Sequence, residues 1–396
     1  GRVVASSSPV DVDLSSVYVV VMAGGASSRF FPVNKIFADP TGAGRTMIQQ
    51  TFDRATSNID SETFSSFISP EQFYIITGKD YQQAMQEQLP VPAENILVEP
   101  GRRNTWPAIL WTMANLRKLN PDATIAMLTA DHIIRDLPIF RQIVNQGIWI
   151  AQNQPAIVTI GINPSDSITE WLGFGAIKEG ESSLTHAGAF NVQRFIEKPS
   201  FAEAKEMRLE GGWLWNAGMF VFGMPTAEKA LKLYQPEMFV TYTALHQALA
   251  KDDINQAAQL FNQLPSKIQH PLKDKGQLAD NSIDYSIMVP MTKNPNPELK
   301  GYVIRGKFFW VDIGSWDALR KVKDTDSKGN ITIGNVIVDE TVTNSILVAE
   351  PNKTIFASGL KDTVVIHSKD NTVMIIPVKE AQKVKDLNEA VKQASP

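Results

Sequence analysis

The sequence contains no cysteine. That excludes disulfides, thiolate metal sites and thiol nucleophiles together, and it accords with a reducing cytoplasm, the expected location. No apolar run reaches membrane-spanning length, so no membrane partner is expected. The opening stretch 1–16 is rich in Ser, Val and Asp and lacks both the apolar core of a signal peptide and an initiator Met. It is expected to be a disordered, trimmed or appended extension outside any site. Charge of one sign is also lacking: 38 Lys and Arg face 42 Asp and Glu, dispersed along the chain, for a formal net charge of -4. No nucleic-acid patch and no polybasic membrane segment follow from that balance. What remains is an ordinary globular composition, 43% hydrophobic and 20% charged over 396 residues. Such a chain can bury a sizeable core in one large domain plus a smaller one, or in two of similar size.

The most informative stretch begins at Val17. The apolar, β-branched run Val17-Tyr18-Val19-Val20-Val21-Met22-Ala23 breaks into Gly24-Gly25-Ala26-Ser27-Ser28-Arg29 and, further on, Lys35. A buried strand feeding a glycine turn is how α/β sheets present a ligand loop at the carboxyl end of a parallel strand. Two glycines expose backbone N–H groups, and Arg29 and Lys35 bring two cations, which suits a polyphosphate. The loop is neither a Walker motif nor a dinucleotide fingerprint, since no Gly-Lys-Ser/Thr follows and the third glycine is missing. Taken alone it reads equally as a solvated Gly-Gly turn.

Strand and helix signals alternate downstream, as βαβ units require. A helix is expected over 46–55, a strand over 72–78, a helix over 81–89 and a strand over 95–100. Gly101-Arg102-Arg103-Asn104-Thr105 then leads into a helix opening at Trp106-Pro107, where free N–H groups favour an anion or polar ligand. The strand Ala123–His132 stays apolar until Asp131, which either caps the next turn or faces the ligand crevice. His132 reads as structural. Trp171-Leu172-Gly173-Phe174-Gly175-Ala176-Ile177 reads as a strand edge that admits a flat group to the backbone. Glu197 and Lys198 end another strand, and Asn216 sits beside glycine in an apolar one, where it must meet a ligand or a backbone group. Asp284 falls near the positive end of a capped helix. Asp312 closes an aromatic strand, so Asp131 and Asp312 together offer the hard oxygen ligands a divalent cation wants. From about Ile331 short apolar strands recur between turn residues at irregular intervals, as in a partial β-helix, and a polar amphipathic helix closes the chain.

Seven pieces in order resemble the sugar-1-phosphate nucleotidylyltransferases, most closely the mannose-1-phosphate guanylyltransferases. They are Ala23-Gly24-Gly25 with Arg29-Phe30-Phe31-Pro32, Glu99-Pro100-Gly101-Arg102-Arg103-Asn104-Thr105, Thr129-Ala130-Asp131-His132, Phe195-Ile196-Glu197-Lys198-Pro199, Trp215-Asn216-Ala217-Gly218-Met219-Phe220, Ser282-Ile283-Asp284-Tyr285 and Trp310-Val311-Asp312-Ile313-Gly314-Ser315-Trp316. The resemblance implies an α/β fold with a Rossmann-like, mixed and mostly parallel sheet over 17–328, and a small left-handed β-helix-like domain with a terminal helix over 329–396. It implies transfer of a nucleotidyl group from an NTP, GTP foremost, to a sugar-1-phosphate, mannose-1-phosphate foremost, with Mg²⁺ and with pyrophosphate as leaving group.

Under the same resemblance Arg29 and Lys35 hold the triphosphate, with Ala23, Gly24, Gly25, Ser27 and Ser28 forming its loop. Asp131 and Asp312 hold the metal, and Lys198 meets the sugar phosphate. Glu197, Asn216 and the backbone at Gly173 bind sugar hydroxyls, while Arg103, Asn104 and Thr105 face the nucleoside. A homodimer through the C-terminal domain is a further expectation, because exposed β edges favour self-association. The loop departs from the family at Ser27, Ser28 and the shortened segment before Lys35. That departure motivates an alternative reading as a nucleotide-sugar-binding regulatory homologue without turnover, beside that of an enzyme for another base or sugar such as glucose-1-phosphate.

Overall fold

A computed structural model of the chain describes residues 12–25, 30–56, 68–183 and 188–394. Strand β1 (Val17–Ala23), the apolar run before the glycines, lies inside a nine-stranded sheet with β2 (Phe73–Thr77) and β4 (Thr124–Thr129) parallel on its two sides. β3 (Ile96–Val98) extends this half. Beyond β4 come β9 (Trp213–Gly223), β6 (Ala156–Ile162), β12 (Lys300–Arg305), β8 (Ala189–Ile196) and β7 (Ala176–Ser182). The sheet is mixed: β9 runs antiparallel to both neighbours, β4 and β6. Apolar side chains of both faces are buried, one under α1 (Met47–Thr56) and α4 (Leu137–Asn153), the other under α3 (Thr105–Arg117) and α8 (Pro236–Ala250). Buried on both faces, these strands read as continuous hydrophobic runs. No helix among the described residues is long and apolar enough to cross a membrane.

Several expectations need correction. Residues Val12–Ser16 of the expected extension are docked: Asp13 caps the short turn Leu14–Ser16, and Gln152 of α4 donates to the Asp13 carbonyl at 2.7 Å. The strand expected through 123–132 breaks at Ala130–Asp131 and resumes as β5 (His132–Ile134). Trp171 to Gly173 belong to a short helix, α5 (Ile168–Gly173), so the strand edge expected there begins only at Ala176. The helix expected after Ser282 opens with a π turn, Asp284–Met288.

The tail forms parallel β coils. Ile331 of β14 (Ile331–Ile333) pairs with Ile346 of β16 (Ile346–Ala349), which pairs with Val364 of β18 (Thr363–His367), steps of 15 and 18 residues. Unequal turns account for the irregular period in the sequence. The coil is continuous with the rest of the protein: Ile331, Ile346 and Val364 share one buried cluster with Phe30, Val33, Ile133 and Trp316.

Candidate functional site

Ala23 ends β1, and its carbonyl accepts a hydrogen bond from Thr77 Oγ1 at 2.7 Å, which fixes the strand end before Gly24 and Gly25. A Cβ at Gly24 would lie 2.6 Å from Glu99 Oε1, so a side chain there would push this carboxylate aside. Glu99 leaves β3 with its N–H on the Thr77 carbonyl at 2.9 Å. Burial pushes its carboxyl up to about 7, against the opposing pull of Arg102, and no hydrogen bond reaches its oxygens among the described residues. Ser27, Ser28 and Arg29 lie outside the described residues.

Past the loop, Asn34 caps a single turn, Lys35–Phe37, by accepting from Ile36 N–H at 3.3 Å. The turn sends Lys35 inward, where it is 1% exposed and lies 5.3 Å from the centre of the Phe30 ring. Phe30 packs on Trp316 at 4.7 Å, which closes the outer side. The Lys35 ammonium bridges Asp131 Oδ2 and Asp312 Oδ1, each at 3.3 Å. Those carboxylates come together because β13 (Trp310–Asp312) pairs antiparallel with β5, setting Asp312 opposite His132. Helix α1 holds the same bend from behind: Thr51 donates to the Ala130 carbonyl at 3.0 Å and Arg54 to the His132 carbonyl at 3.2 Å. Trp310 Nε1 donates to His132 Nδ1 at 3.1 Å, so the imidazole proton is on Nε2. Burial lowers the His132 pKa, consistent with a neutral, structural ring.

Asp131 and Asp312 remain about one-third exposed while Lys35 is sealed beneath them. Among the described residues no group of three or more His, Asp or Glu side chains could by itself hold a metal ion. Two carboxylates, each about one-third exposed and converging on one cation, suit a hard divalent ion whose remaining ligands are phosphate oxygens and water.

A second cluster lies along β9. Asn216 is held at both ends of its amide, with Oδ1 accepting from Gly218 N–H at 2.9 Å and Nδ2 donating to Asp284 Oδ1 at 2.9 Å. A Cβ at Gly175 would lie 2.6 Å from Glu197 Oε2 and 3.4 Å from Asn216 Cβ. Gly175 is therefore the glycine that makes room for Glu197, while a Cβ at Gly173, whose backbone was expected to meet sugar hydroxyls, would find nothing within 4 Å. Burial, reinforced by the Asp284 charge, pushes Glu197 up to about 8, and burial pushes Asp284 up to about 6 despite its hydrogen bonds. Glu197, Lys198, Asp284 and Tyr285 line a cup of about 400 Å³ together with Asn104 and Thr105. Asn104 and Thr105, expected at the nucleoside, thus share the wall of Glu197 and Lys198; Arg103 does not line it. Lys198 adopts a left-handed φ of 50°, an uncommon state for a side-chain-bearing residue and one that recurs at ligand sites.

The structure therefore brings Lys35, Asp131 and Asp312 together, and Glu197, Lys198 and Asn216 together. Sequence reasoning gave no role to Glu99, although its place at a strand end before Pro-Gly was the available signal. Asp284 was read only as a helix-end acid.

The family model for nucleotidyl transferases matches residues 18–329. Mannose-1-phosphate guanylyltransferase of Escherichia coli K12 is 30% identical over 96% of this chain and 74% of its own length. The alginate biosynthesis protein AlgA of Pseudomonas aeruginosa is 30% identical over 94% of this chain and 71% of its own. In fold, a Thermus thermophilus protein described as a mannose-1-phosphate geranyltransferase superposes with a TM-score of 0.74 at 23% identity, covering 95% of this chain and 99% of that one.

Proposed function

The chain belongs to the nucleotidyl transferase family, and from that premise we propose that it is a guanylyltransferase making GDP-mannose from GTP and mannose-1-phosphate. The observation that carries the reading is the pairing of Asp131 and Asp312 around the buried Lys35, at the carboxyl end of β4 and within the same fold as the glycine loop. The phosphate oxygen of mannose-1-phosphate attacks the α-phosphorus, a new P–O bond forms, and the bond to the β-phosphate breaks with its electron pair leaving on pyrophosphate. The attacking oxygen is already ionised, so no general base is needed. Two polyanions must instead be aligned and their repulsion offset.

Gly24 and Gly25 offer backbone N–H groups to the triphosphate, with Arg29 as a further cation. Lys35 sets the spacing of the two aspartates and supplies positive charge beneath the leaving group. Asp131 and Asp312 would hold Mg²⁺, which supplies charge neutralisation on the phosphates when bound. Glu197, Asn216 and Asp284 receive the sugar hydroxyls and Lys198 the sugar phosphate. Glu99 favours guanine over the other bases: its carboxyl, without a hydrogen bond among the described residues, suits when ionised the adjacent N1–H and N2–H donors of guanine, whereas adenine sets an acceptor, N1, beside its one amino group. The regulatory reading has less behind it, since a binder without turnover has no need of two carboxylates gathered on one buried cation. Both substrates are cytoplasmic metabolites in this reading. A second copy would dock on the coil, where Val373 and Ile375 of the edge strand β19 (Val373–Pro377) are 54% and 65% exposed.

The test is pyrophosphate release with Mg²⁺ across GTP, ATP, UTP and dTTP, each paired with mannose-1-phosphate and glucose-1-phosphate. Fastest release with GTP and mannose-1-phosphate supports the reading. No release with any pair, or preference for another base or sugar, overturns it.

A further inference from the structure

The cup has a wall for which neither the motifs nor the reaction outlined above has a use. Strands β10 (Lys267–Gln269) and β11 (Leu278–Asp280) form a separate two-stranded hairpin, and Lys267, His270 and Lys273 from it line the cup that holds Glu197 and Lys198. Lys267 is already neutralised by Asp280 at 2.8 Å. Lys273 makes no ion pair among the described residues. The loop carrying it is stapled by Gln269, whose Nε2 donates to the Asp274 carbonyl at 2.9 Å and whose Oε1 accepts from Gly276 N–H at 2.8 Å. Lys293 ties the same loop to the body by donating to the Pro271 carbonyl at 3.0 Å.

His270 is oriented as well. Its Nδ1 accepts from Leu272 N–H at 3.1 Å, which leaves the proton on Nε2 as a donor, and its ring lies 4.9 Å from that of Tyr285. A cation without a counter-ion among the described residues and a neutral N–H donor, both on one braced loop in the wall of a cup, form a receptor for an anion.

We propose that this hairpin is a phosphate clamp for the acceptor, with Lys273 and His270 holding the phosphate of the sugar-1-phosphate alongside Lys198. This rests on the reading of the cup as the sugar-phosphate side. The clamp answers a physical need of the reaction: a phosphate dianion must approach a triphosphate, and cations fixed on the acceptor's side reduce the repulsion it meets. An anion is specified, and any sugar carrying it is selected elsewhere in the cup.

The experiment is steady-state kinetics of the full chain and of Lys273→Gln and Lys273→Arg, varying mannose-1-phosphate at saturating GTP and the reverse. Lys273→Gln is expected to raise KM for mannose-1-phosphate about tenfold, the scale of one charge-assisted hydrogen bond, with KM for GTP within about twofold. Lys273→Arg is expected to recover most of the loss. An unchanged KM for mannose-1-phosphate, or an equal rise in both KM values, overturns the clamp while leaving the wild-type activity to speak for the reaction itself. Should the wild-type chain turn over no pair of substrates, inorganic phosphate decides in thermal melts. A rise in Tm with phosphate that Lys273→Gln abolishes supports the clamp, and a rise retained by the variant, or none in the wild type, overturns it.

Discussion

The two halves of the site bring carboxylates together in opposite ways. At Lys35 two aspartates share one buried ammonium, so half of their charge is compensated before any ligand arrives. Along β9 the carboxyls of Glu197 and Asp284 are half-buried with Asn216 and Tyr285, and Lys198 opposes their upward shifts without forming an ion pair with either among the described residues. Burial without a paired cation favours the neutral acid, and that acid donates a hydrogen bond where a carboxylate only accepts. The first arrangement suits cations and phosphates, and the second suits sugar hydroxyls. The difference lies in what stands beside the acids, not in the acids themselves.

Removing the shared ammonium should break the comparison most severely. Lys35→Met leaves Asp131 and Asp312 converging without the shared ammonium, and turnover is expected to fall by about three orders of magnitude. Its Tm should also fall, and added Mg²⁺ should raise it by more than it raises that of the wild type, because the metal then replaces the lost charge. An unshifted Tm with turnover intact would mean that the ammonium is incidental.

Next in size is Glu99→Gln. An amide cannot accept from two adjacent donors with two oxygens, so the ratio of kcat/KM for GTP over ATP should drop by about 10- to 100-fold. Measuring kcat/KM for the two nucleotides decides it, and an unchanged ratio would move base recognition elsewhere.

The acid pair makes the sugar side sensitive to pH. If neutral Glu197 donates to a hydroxyl, KM for mannose-1-phosphate should rise several-fold as pH passes about 8, with KM for GTP flat over that range. Asp284→Asn removes the neighbouring charge and should move the inflection lower. Stability should follow the same groups. Both carboxyls have raised values in the folded state, so the unfolded chain binds fewer protons, and stability falls with rising pH from the ordinary carboxylate range near 4 to about 8. Melting curves of Glu197→Gln should lose part of that slope.

The smallest effect belongs to Tyr285→Phe. Its hydroxyl donates to the Glu197 carbonyl at 3.3 Å, a long bond at the edge of the cup. A two- to threefold rise in KM for the sugar phosphate is expected, the scale of one weak neutral hydrogen bond.

Much of this was legible in the sequence for identifiable reasons. β1, β2 and β4 are continuous apolar runs ending at Gly, Thr-Gly or Ala-Asp, and such runs need only local reading. The direction of β9 was not legible, because an eleven-residue buried strand has the same pattern parallel or antiparallel. The span 168–173 was misread because only Ile168, Trp171 and Leu172 keep helical spacing, too few to outweigh the glycines that follow. Asp131 and Asp312 could each be noticed as a strand-end acid, but their meeting depends on a pairing between two three-residue strands nearly half the chain apart. Lys35 was expected to reach for phosphate, and its burial between the two acids follows from the same pairing. Glu99 could be noticed as a strand-end acid before Pro-Gly, but its close approach to Gly24, 75 residues earlier, is not visible in any local spacing.

The most direct test of the compensated half is the single-turnover rate of pyrophosphate release by Asp312→Asn, with GTP, mannose-1-phosphate and Mg²⁺ at saturation. The account predicts a fall of about a thousandfold or more with Tm within a few degrees of the wild type. A rate within about twofold of the wild type would contradict it, because the carboxylate would then hold neither the metal nor the ammonium in a way the reaction requires.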